Sequence, residues 1–330
     1  RSMRQALRPR VKMFFYPQPA YPFILVKQCV IRPNDTLKIH PFFASLTQLF
    51  KSVWLLGQSA IMHHFCCMIK YSLLPANEQH LHNTLRIATF NIHKGLTHFN
   101  AAFSLHQQRE LLRKVHADIV FLQEVRDAHH GHSKRFANWP TAGQMEFLAD
   151  AVWQDFSYGK NAVYPAGHHG NALLSKFPIG HTFNQDISAH STEERGMLHS
   201  EIHIPNWNTP LHTICVHLGL FAHWRRQQLM AVAEYIEQHV PHDAPLIIAG
   251  DFNDWSTRSG QQFASRLHLH EVFEHHNGKP ARSFPSWLPV LRLDRIYVRG
   301  FQVNHAAVHA GPHFIKLSDH AVLTATLRKL

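Results

Sequence analysis

The sequence predicts an α/β protein, and three observations carry that expectation. Short apolar runs recur from Leu85 onward, stretches with apolar residues at helical spacing separate them, and many of the runs end in a carboxylate, an amide or an imidazole. At 45% hydrophobic over 330 residues, the chain can bury a sizeable core as one large or two ordinary domains.

Residues 1–84 differ from the remainder. They hold ten Lys/Arg against two Asp/Glu, scattered prolines (Pro9, Pro17, Pro19, Pro22, Pro33, Pro41) and no sustained alternation of apolar and polar positions. We expect an N-terminal extension, poorly ordered or not native to the working protein, with Met62 or Met68 as a candidate start. Its one long apolar stretch, Ser52 to Ile69, has no formally charged residue, but at eighteen residues it barely reaches spanning length, and Gln58, His63 and His64 weaken it. Membrane contact is therefore expected only through residues 52–69, and the chain otherwise reads as cytoplasmic. Cys29, Cys66 and Cys67 lie in the first segment and Cys215 in the body, which is no disulfide framework and suits a reducing compartment. The formal charge of +11 is concentrated in the same first segment. The body is left at only about +3, so basicity gives little support to a polyanionic partner.

From Leu85 strands and helices follow one another. Leu85 to Asn91 sets Leu85, Ile87 and Thr89 against Arg86, Ala88 and Phe90, then opens into the polar loop Asn91-Ile92-His93-Lys94-Gly95. Leu105, Leu111, Leu112 and Val115 fit one helix face, and Asp118 to Glu124 reads as a buried strand with Glu124 at its tip. Met145 to Trp153 reads as a helix with Leu148, Ala151 and Val152 on one stripe. Gly170 to Ser175 and Gly196 to Ile204 are expected strands, with Arg195 just ahead of the second. In Leu211 to Leu218, residues Leu211, Thr213, Cys215 and His217 share a face. Trp224 to Val240 carries Leu229, Val232, Ala233, Ile236 and Val240 at helical spacing. The most informative stretch is Pro245 to Asp254, an apolar run and a glycine followed by Asp251-Phe252-Asn253-Asp254. If the chain stays extended through Phe252, Asp251 and Asn253 fall on the same side; the alternative is an Asx-rich turn after a core strand. A less regular region containing Phe284-Pro285-Ser286-Trp287 leads to strands at Leu293 to Val298 and Ala321 to Leu327, the last introduced by Ser318-Asp319-His320.

Asn91, Glu124, His217, Asp251, Asn253, Asp294, Asp319 and His320 thus sit in or beside apolar strands, mostly at one end. Buried carboxylates need partners, and several converging without matching Lys/Arg call for a divalent cation; oxygen ligands favour Mg2+ or Mn2+ over zinc. Such a set suits hydrolysis of a phosphate ester: a metal to neutralise charge, a carboxylate to activate water, imidazole and amide donors for the phosphoryl oxygens. Most of the 31 histidines are expected to be solvated, and the pairs His129-His130 and His168-His169 lack a complete ligand set of zinc type.

Thr89-Phe90-Asn91, Phe121-Leu122-Gln123-Glu124-Val125, Gly250-Asp251-Phe252-Asn253, Leu293-Asp294-Arg295-Ile296 and Ser318-Asp319-His320 resemble, in order, the motifs of the endonuclease/exonuclease/phosphatase superfamily. That superfamily includes pancreatic-type deoxyribonuclease, AP endonucleases, neutral sphingomyelinases and inositol-phosphate phosphatases. The resemblance spans residues 85–330 and implies a four-layer α/β sandwich, two central mixed β-sheets flanked by helices, acting as a catalytic domain. It implies Glu124 as principal metal ligand, with Asn91 and Asp319 in or near the metal shell. Asp251 would orient or deprotonate water, Asn253 hold a phosphate oxygen, Asp294 orient His320, and His217 contact phosphate. The longer string, with His168-His169-Gly170-Asn171-Ala172 and His217-Leu218-Gly219-Leu220, is most similar to small bacterial metal-dependent hydrolases or nucleases. His93, two residues after Asn91, stands where AP endonucleases place an acid, which argues against that branch. The implied function is hydrolysis of a phosphodiester substrate, whether nucleic acid, nucleotide or lipid head group. A sphingomyelinase-like, phospholipid-directed hydrolase and a non-catalytic binding module on the same fold are the alternatives.

Overall fold

Among the described residues, twelve strands pair into two six-stranded sheets. The computed structural model describes residues 83–330 except 130–138, 140–142, 151, 165–166 and 257. The stretch 52–69, nearly all of the expected extension and the side chains of the His129-His130 pair lie outside the described residues.

In chain order the elements are β1 (Thr84–Asn91), α1 (Leu105–Lys114), β2 (Ile119–His129), α2 (Gln144–Ala149), β3 (Asp155–Tyr164), β4 (Gly167–Ser175) and β5 (Ile179–Asp186). There follow β6 (Gly196–Ile202), β7 (Leu211–His217), α3 (Ala222–His239), β8 (Leu246–Asp251), α4 (Arg258–Arg266), β9 (His270–Glu271) and α5 (Val272–Asn277). The chain closes with β10 (Asp294–Arg299), β11 (Phe301–His309) and β12 (Val322–Lys329). The first sheet runs β11-β12-β1-β2-β4-β3 and the second β5-β6-β7-β8-β10-β9. Both are mixed, with parallel β1/β2 and β7/β8 pairs among antiparallel neighbours.

The period of two in each strand sorts its side chains between two layers. Leu85, Ile87, Ile119, Phe121 and Leu173 of the first sheet share one apolar cluster with Leu198, Leu211, Cys215, Ile247 and Ile296 of the second. The alternate residues face outward under helices: Phe90, Val120 and Leu174 pack with Leu105 and Leu112 of α1 and Leu148 of α2. Ile214, Val216, Leu246 and Ile248 pack with Leu229, Val232 and Ile236 of α3 and Phe263 of α4. The result is a four-layer α/β sandwich. Gly250 permits close approach within the second sheet. It has φ +151°, and a Cβ there would collide with the Val216 carbonyl of the neighbouring strand.

Three local expectations are corrected. The helix expected from Met145 to Trp153 stops at Ala149, because Asp150 turns to φ +42° while its N–H closes on the Glu146 carbonyl; Trp153 is buried independently, donating its indole N–H to Ala117 O at 3.1 Å. Strand β2 does not end at Glu124 but continues to His129. Extension stops at Asp251, and Asn253 takes φ +48°, which is the Asx-turn alternative: its backbone N–H donates to Asp251 Oδ1 at 2.9 Å. Among the described residues, no helix is long and apolar enough to cross a membrane.

Candidate active site

Pairing alone aligns three of the sequence-predicted residues. In the second sheet Asp251 lies opposite His217 of β7 on one side and opposite Asp294 of β10 on the other, so the three form one row across adjacent strands. Each follows a residue of the inter-sheet cluster at a spacing of two, Cys215, Ala249 and, on the antiparallel strand, Ile296, so the row points at the first sheet. Asn91 answers from β1. Its Nδ2 donates to Asp251 Oδ2 at 3.2 Å and approaches Glu124 Oε1 at 3.5 Å, tying the two sheets together at this end.

Glu124 reaches this position through a backbone irregularity. Gln123 follows Ile119 and Phe121 toward the second sheet, donating to Thr89 Oγ1 and Cys215 Sγ, so strict alternation would turn Glu124 outward under the helices. Instead the register with β4 slips between Leu122 and Val125, and Glu124 takes φ +57°. The bulge re-aims the carboxylate into the site. The preceding loop bends likewise, with His93 at φ +46° and Lys94 at φ +59°. Lys94 Nζ then stands 3.3 Å from Glu124 Oε2, so the expectation that the converging carboxylates lack a matching Lys/Arg is corrected at Glu124.

His320 closes the cluster. Its Nδ1 meets Asp294 Oδ2 at 2.9 Å and its Nε2 faces Asp251 Oδ2 at 3.7 Å, while His217 Nε2 lies 3.5 Å from the same oxygen. Phe284 flanks the His320 ring at 5.1 Å. Asp319 turns to the other side, to His93 Nδ1 at 3.0 Å. The side chains of Asp294 and Asp251 are 1% and 2% exposed whereas those of Glu124 and Asp319 are each 15%, so solvent enters on the Glu124/Asp319 side. Asn253 commits one of its two amide hydrogens to the Leu218 carbonyl at 2.8 Å.

The electrostatics follow from burial and proximity. Burial raises the Asp251 carboxyl to about 7, with the Asp294 charge pushing the same way against His320. Burial would lower His320, but Asp294, Asp251 and Asp319 outweigh it and hold the imidazolium up to about 10. His217 is pressed well below its ordinary value by burial and by Arg195. Burial pushes Glu124 up, yet His217, Lys94, His93 and His320 together keep it well below the usual carboxylate range. Because His217 is itself held neutral, the standing counter-charges are Lys94, His320 and His93, which burial lowers but its bond to Asp319 raises more. Asp319 is raised by burial and lowered more by its bond to His93 and by His320.

The donor set fits a hard divalent ion. Glu124 and Asp319 offer oxygens on the solvent side, Asn91 Oδ1 accepts from the His93 N–H at 3.0 Å, and Glu124 Oε2 is buried without a hydrogen-bond partner despite the nearby ammonium. Asp294 Oδ1 is likewise buried and unpartnered. Two buried arginines near these strand ends are structural. Arg295 is 1% exposed and donates to the carbonyls of Arg292, Asp294 and Asp254; Arg225 is equally buried, beside Asp254 and the Gly219 and Leu220 carbonyls.

Fold and cluster define a two-sheet α/β sandwich with an acidic, histidine-bearing site between the strand ends of its sheets. The chain belongs to the Endonuclease/Exonuclease/phosphatase family, whose pattern matches residues 88–320. It is 45% identical over 244 residues, 74% of this chain and 96% of the relative, to a protein of Escherichia coli K12 described as "Uncharacterized protein YbhP". Among solved structures, it is similar to the mannosyl-6-phosphatase Bt3783 of Bacteroides thetaiotaomicron VPI-5482, with TM-score 0.57 and 17% identity over 74% of this chain and 99% of that one. It is also similar to D. rerio TDP2 complexed with a single-strand DNA product, with TM-score 0.54 and 19% identity over the same shares of the two chains.

Proposed function

We propose that residues 85–330 form a divalent-metal-dependent phosphoesterase that hydrolyses phosphodiester bonds by attack of water. The observation that carries this reading is the row His217, Asp251 and Asp294 facing Asn91 and Glu124, with His320 bonded to Asp294 above it. Mg2+ or Mn2+ held by Glu124, Asn91 and Asp319 would supply charge neutralisation for phosphoryl oxygens. Asp251, poised near neutrality, accepts the proton of the attacking water, and the Asn91 amide and the Asn253 N–H hold its carboxylate in place. His320, kept charged by Asp294, donates toward the phosphoryl oxygens, and neutral His217 adds a second N–H beside it. A non-catalytic module would have no physical need for a buried Asp294–His320 pair aimed at Asp251.

The near-neutral body supports short or small phosphodiesters over long duplex, since a groove that tracks a nucleic-acid backbone concentrates Lys/Arg and binds with strong salt dependence. A second reading, a phospholipid-directed hydrolase, is favoured by Leu220, Phe221, Trp255, Trp287 and Leu288. These are exposed on loops adjoining His217, Asn253 and Phe284. The test is turnover of bis(p-nitrophenyl) phosphate with Mg2+ and with excess chelator, beside rates on duplex DNA and on phospholipid vesicles. Expected is a chelator-sensitive rate on the small diester and a shallow salt slope for duplex. A rate indifferent to chelator refutes the metal-dependent reading, and a steep salt slope with fast duplex cleavage makes the protein a general nuclease.

A further inference from the structure

Away from the strand ends, a second set of metal-ligating side chains stands on the outer face of the second sheet, beneath α3. His199 and Glu201 are two residues apart in β6 and so share a face, and Glu201 lies directly opposite His212 of β7. His199 Nε2 is 3.0 Å from His212 Nδ1, and His212 Nδ1 is 4.0 Å from Glu201 Oε1. One donor atom from each residue falls within 4.8 Å of the others. The imidazoles are 2% and 3% exposed, while Glu201 is half-buried and leaves one side open to water. His212 precedes His217 by five residues on the same strand, about 17 Å along it, and the two clusters share no side chain.

We propose that His199, His212 and Glu201 bind a transition-series divalent cation, zinc being the best fit, in a site separate from the hard-cation site proposed at the strand ends. Four physical arguments carry this. Tetrahedral zinc with bonds near 2.0–2.1 Å spaces its donors about 3.3 Å apart, and the donor distances here straddle that spacing. A ligating imidazole needs its other ring nitrogen anchored, and His199 Nδ1 meets the Tyr235 hydroxyl at 2.9 Å. Tyr235 is in turn braced by stacking on His239 at 4.3 Å and Phe183 at 5.7 Å. Two nitrogens and one oxygen on rigid, adjacent strands favour zinc over magnesium, and the open side leaves room for water or for His181, which lies within electrostatic reach of His199. Arg299, whose charge reaches His212, has its guanidinium committed to the carbonyls of Ala244, Leu267 and Pro241.

Such an ion would clamp β6 to β7 and, through Tyr235, to α3. The test is titration of the full chain with Co2+ alone, read by visible absorption, and with Zn2+ alone, read by thermal unfolding. The Glu124→Gln background is included so that binding at the strand ends is separated. Expected in both backgrounds is one tightly bound equivalent with tetrahedral cobalt bands and a Zn2+-induced rise in Tm of at least about 4 °C. His212→Asn should abolish the bands, and Glu201→Gln, whose half-buried side chain spares the fold, should weaken cobalt binding at least about tenfold. Phosphodiester turnover should be unchanged in Glu201→Gln. Absence of tetrahedral bands overturns the proposal, as do bands lost in Glu124→Gln or wild-type cobalt affinity in Glu201→Gln.

Discussion

Replacing Asp294 by Asn keeps volume and removes one charge from a buried pair, which makes it the cleanest perturbation of the proposed site. Asp294 is the leading cause, by charge and by its 2.9 Å bond, of the rise that carries His320 from 6.5 to about 10. At ~1.4 kcal/mol per pH unit, that rise is on the order of 5 kcal/mol in favour of the imidazolium. Without it, burial pulls the ring back down, and Asp251 and Asp319 alone remain to oppose burial. At pH 8 the Asp294→Asn protein should therefore hold His320 as a neutral ring, seen as a lost imidazolium signature in a nuclear magnetic resonance titration. Turnover of bis(p-nitrophenyl) phosphate at saturating Mg2+ should fall roughly 10²- to 10³-fold, mostly in kcat, because the charge acts on the developing phosphoryl charge rather than on ground-state binding. The double variant Asp294→Asn/His320→Ala should cost far less than the sum of the single losses, since the two act as a unit. A rate within threefold of wild type in Asp294→Asn, or fully additive losses, would refute the coupling.

Glu124→Gln should keep the fold and lose at least about a hundredfold in rate, in line with a lost charge-stabilising group; wild-type turnover at limiting Mg2+ would remove Glu124 from the site. Gly250→Ala should cost on the order of 3 kcal/mol, from its disfavoured φ and the collision with the Val216 carbonyl, and an unchanged urea midpoint would contradict the close approach. His199, unfolded near 6.5, is held neutral by burial down to about 4 in the fold, so its contribution is present above pH 6.5 and is lost as pH falls toward 4. On the order of 3 kcal/mol is at stake, and an acid-unfolding curve no flatter in His199→Gln would refute it. A chain beginning at Met68 should fold and hydrolyse a small diester as well as the full sequence, because every proposed site residue lies beyond it; loss of the circular dichroism signal on truncation would show that the first segment contributes to the core.

The sequence signal divides along the sheets. All the interior strands, β12, β1, β2 and β4 in one sheet and β6, β7, β8 and β10 in the other, were legible, because residues packed on both faces need continuous or alternating apolar character. The edge strands β3, β5, β9 and β11 were not. Strand β5, Ile-Gly-His-Thr-Phe-Asn-Gln-Asp, has no fully buried residue and so little constraint on its pattern. Helices α4 and α5 were missed for want of length, at nine and six residues. At the candidate site the strand tips were legible as apolar runs stopping at polar residues. What bends toward them was not: the Lys94 contact depends on left-handed turns, and the inward aim of Glu124 on a bulge that alternation argues against. The His199/Glu201/His212 group escaped notice because its residues are individually ordinary and meet only across a strand pair.

His93, Lys94 and Glu124 all hold left-handed backbone that their side chains disfavour, and all stand around the candidate site. Each is a place where glycine would relax the chain by roughly 1 kcal/mol. A variant library sorted for thermal resistance alone should therefore drift toward glycine at these positions, while one sorted for turnover should hold them. The positions at which the two sorted populations part company would outline the site without any substrate having been identified.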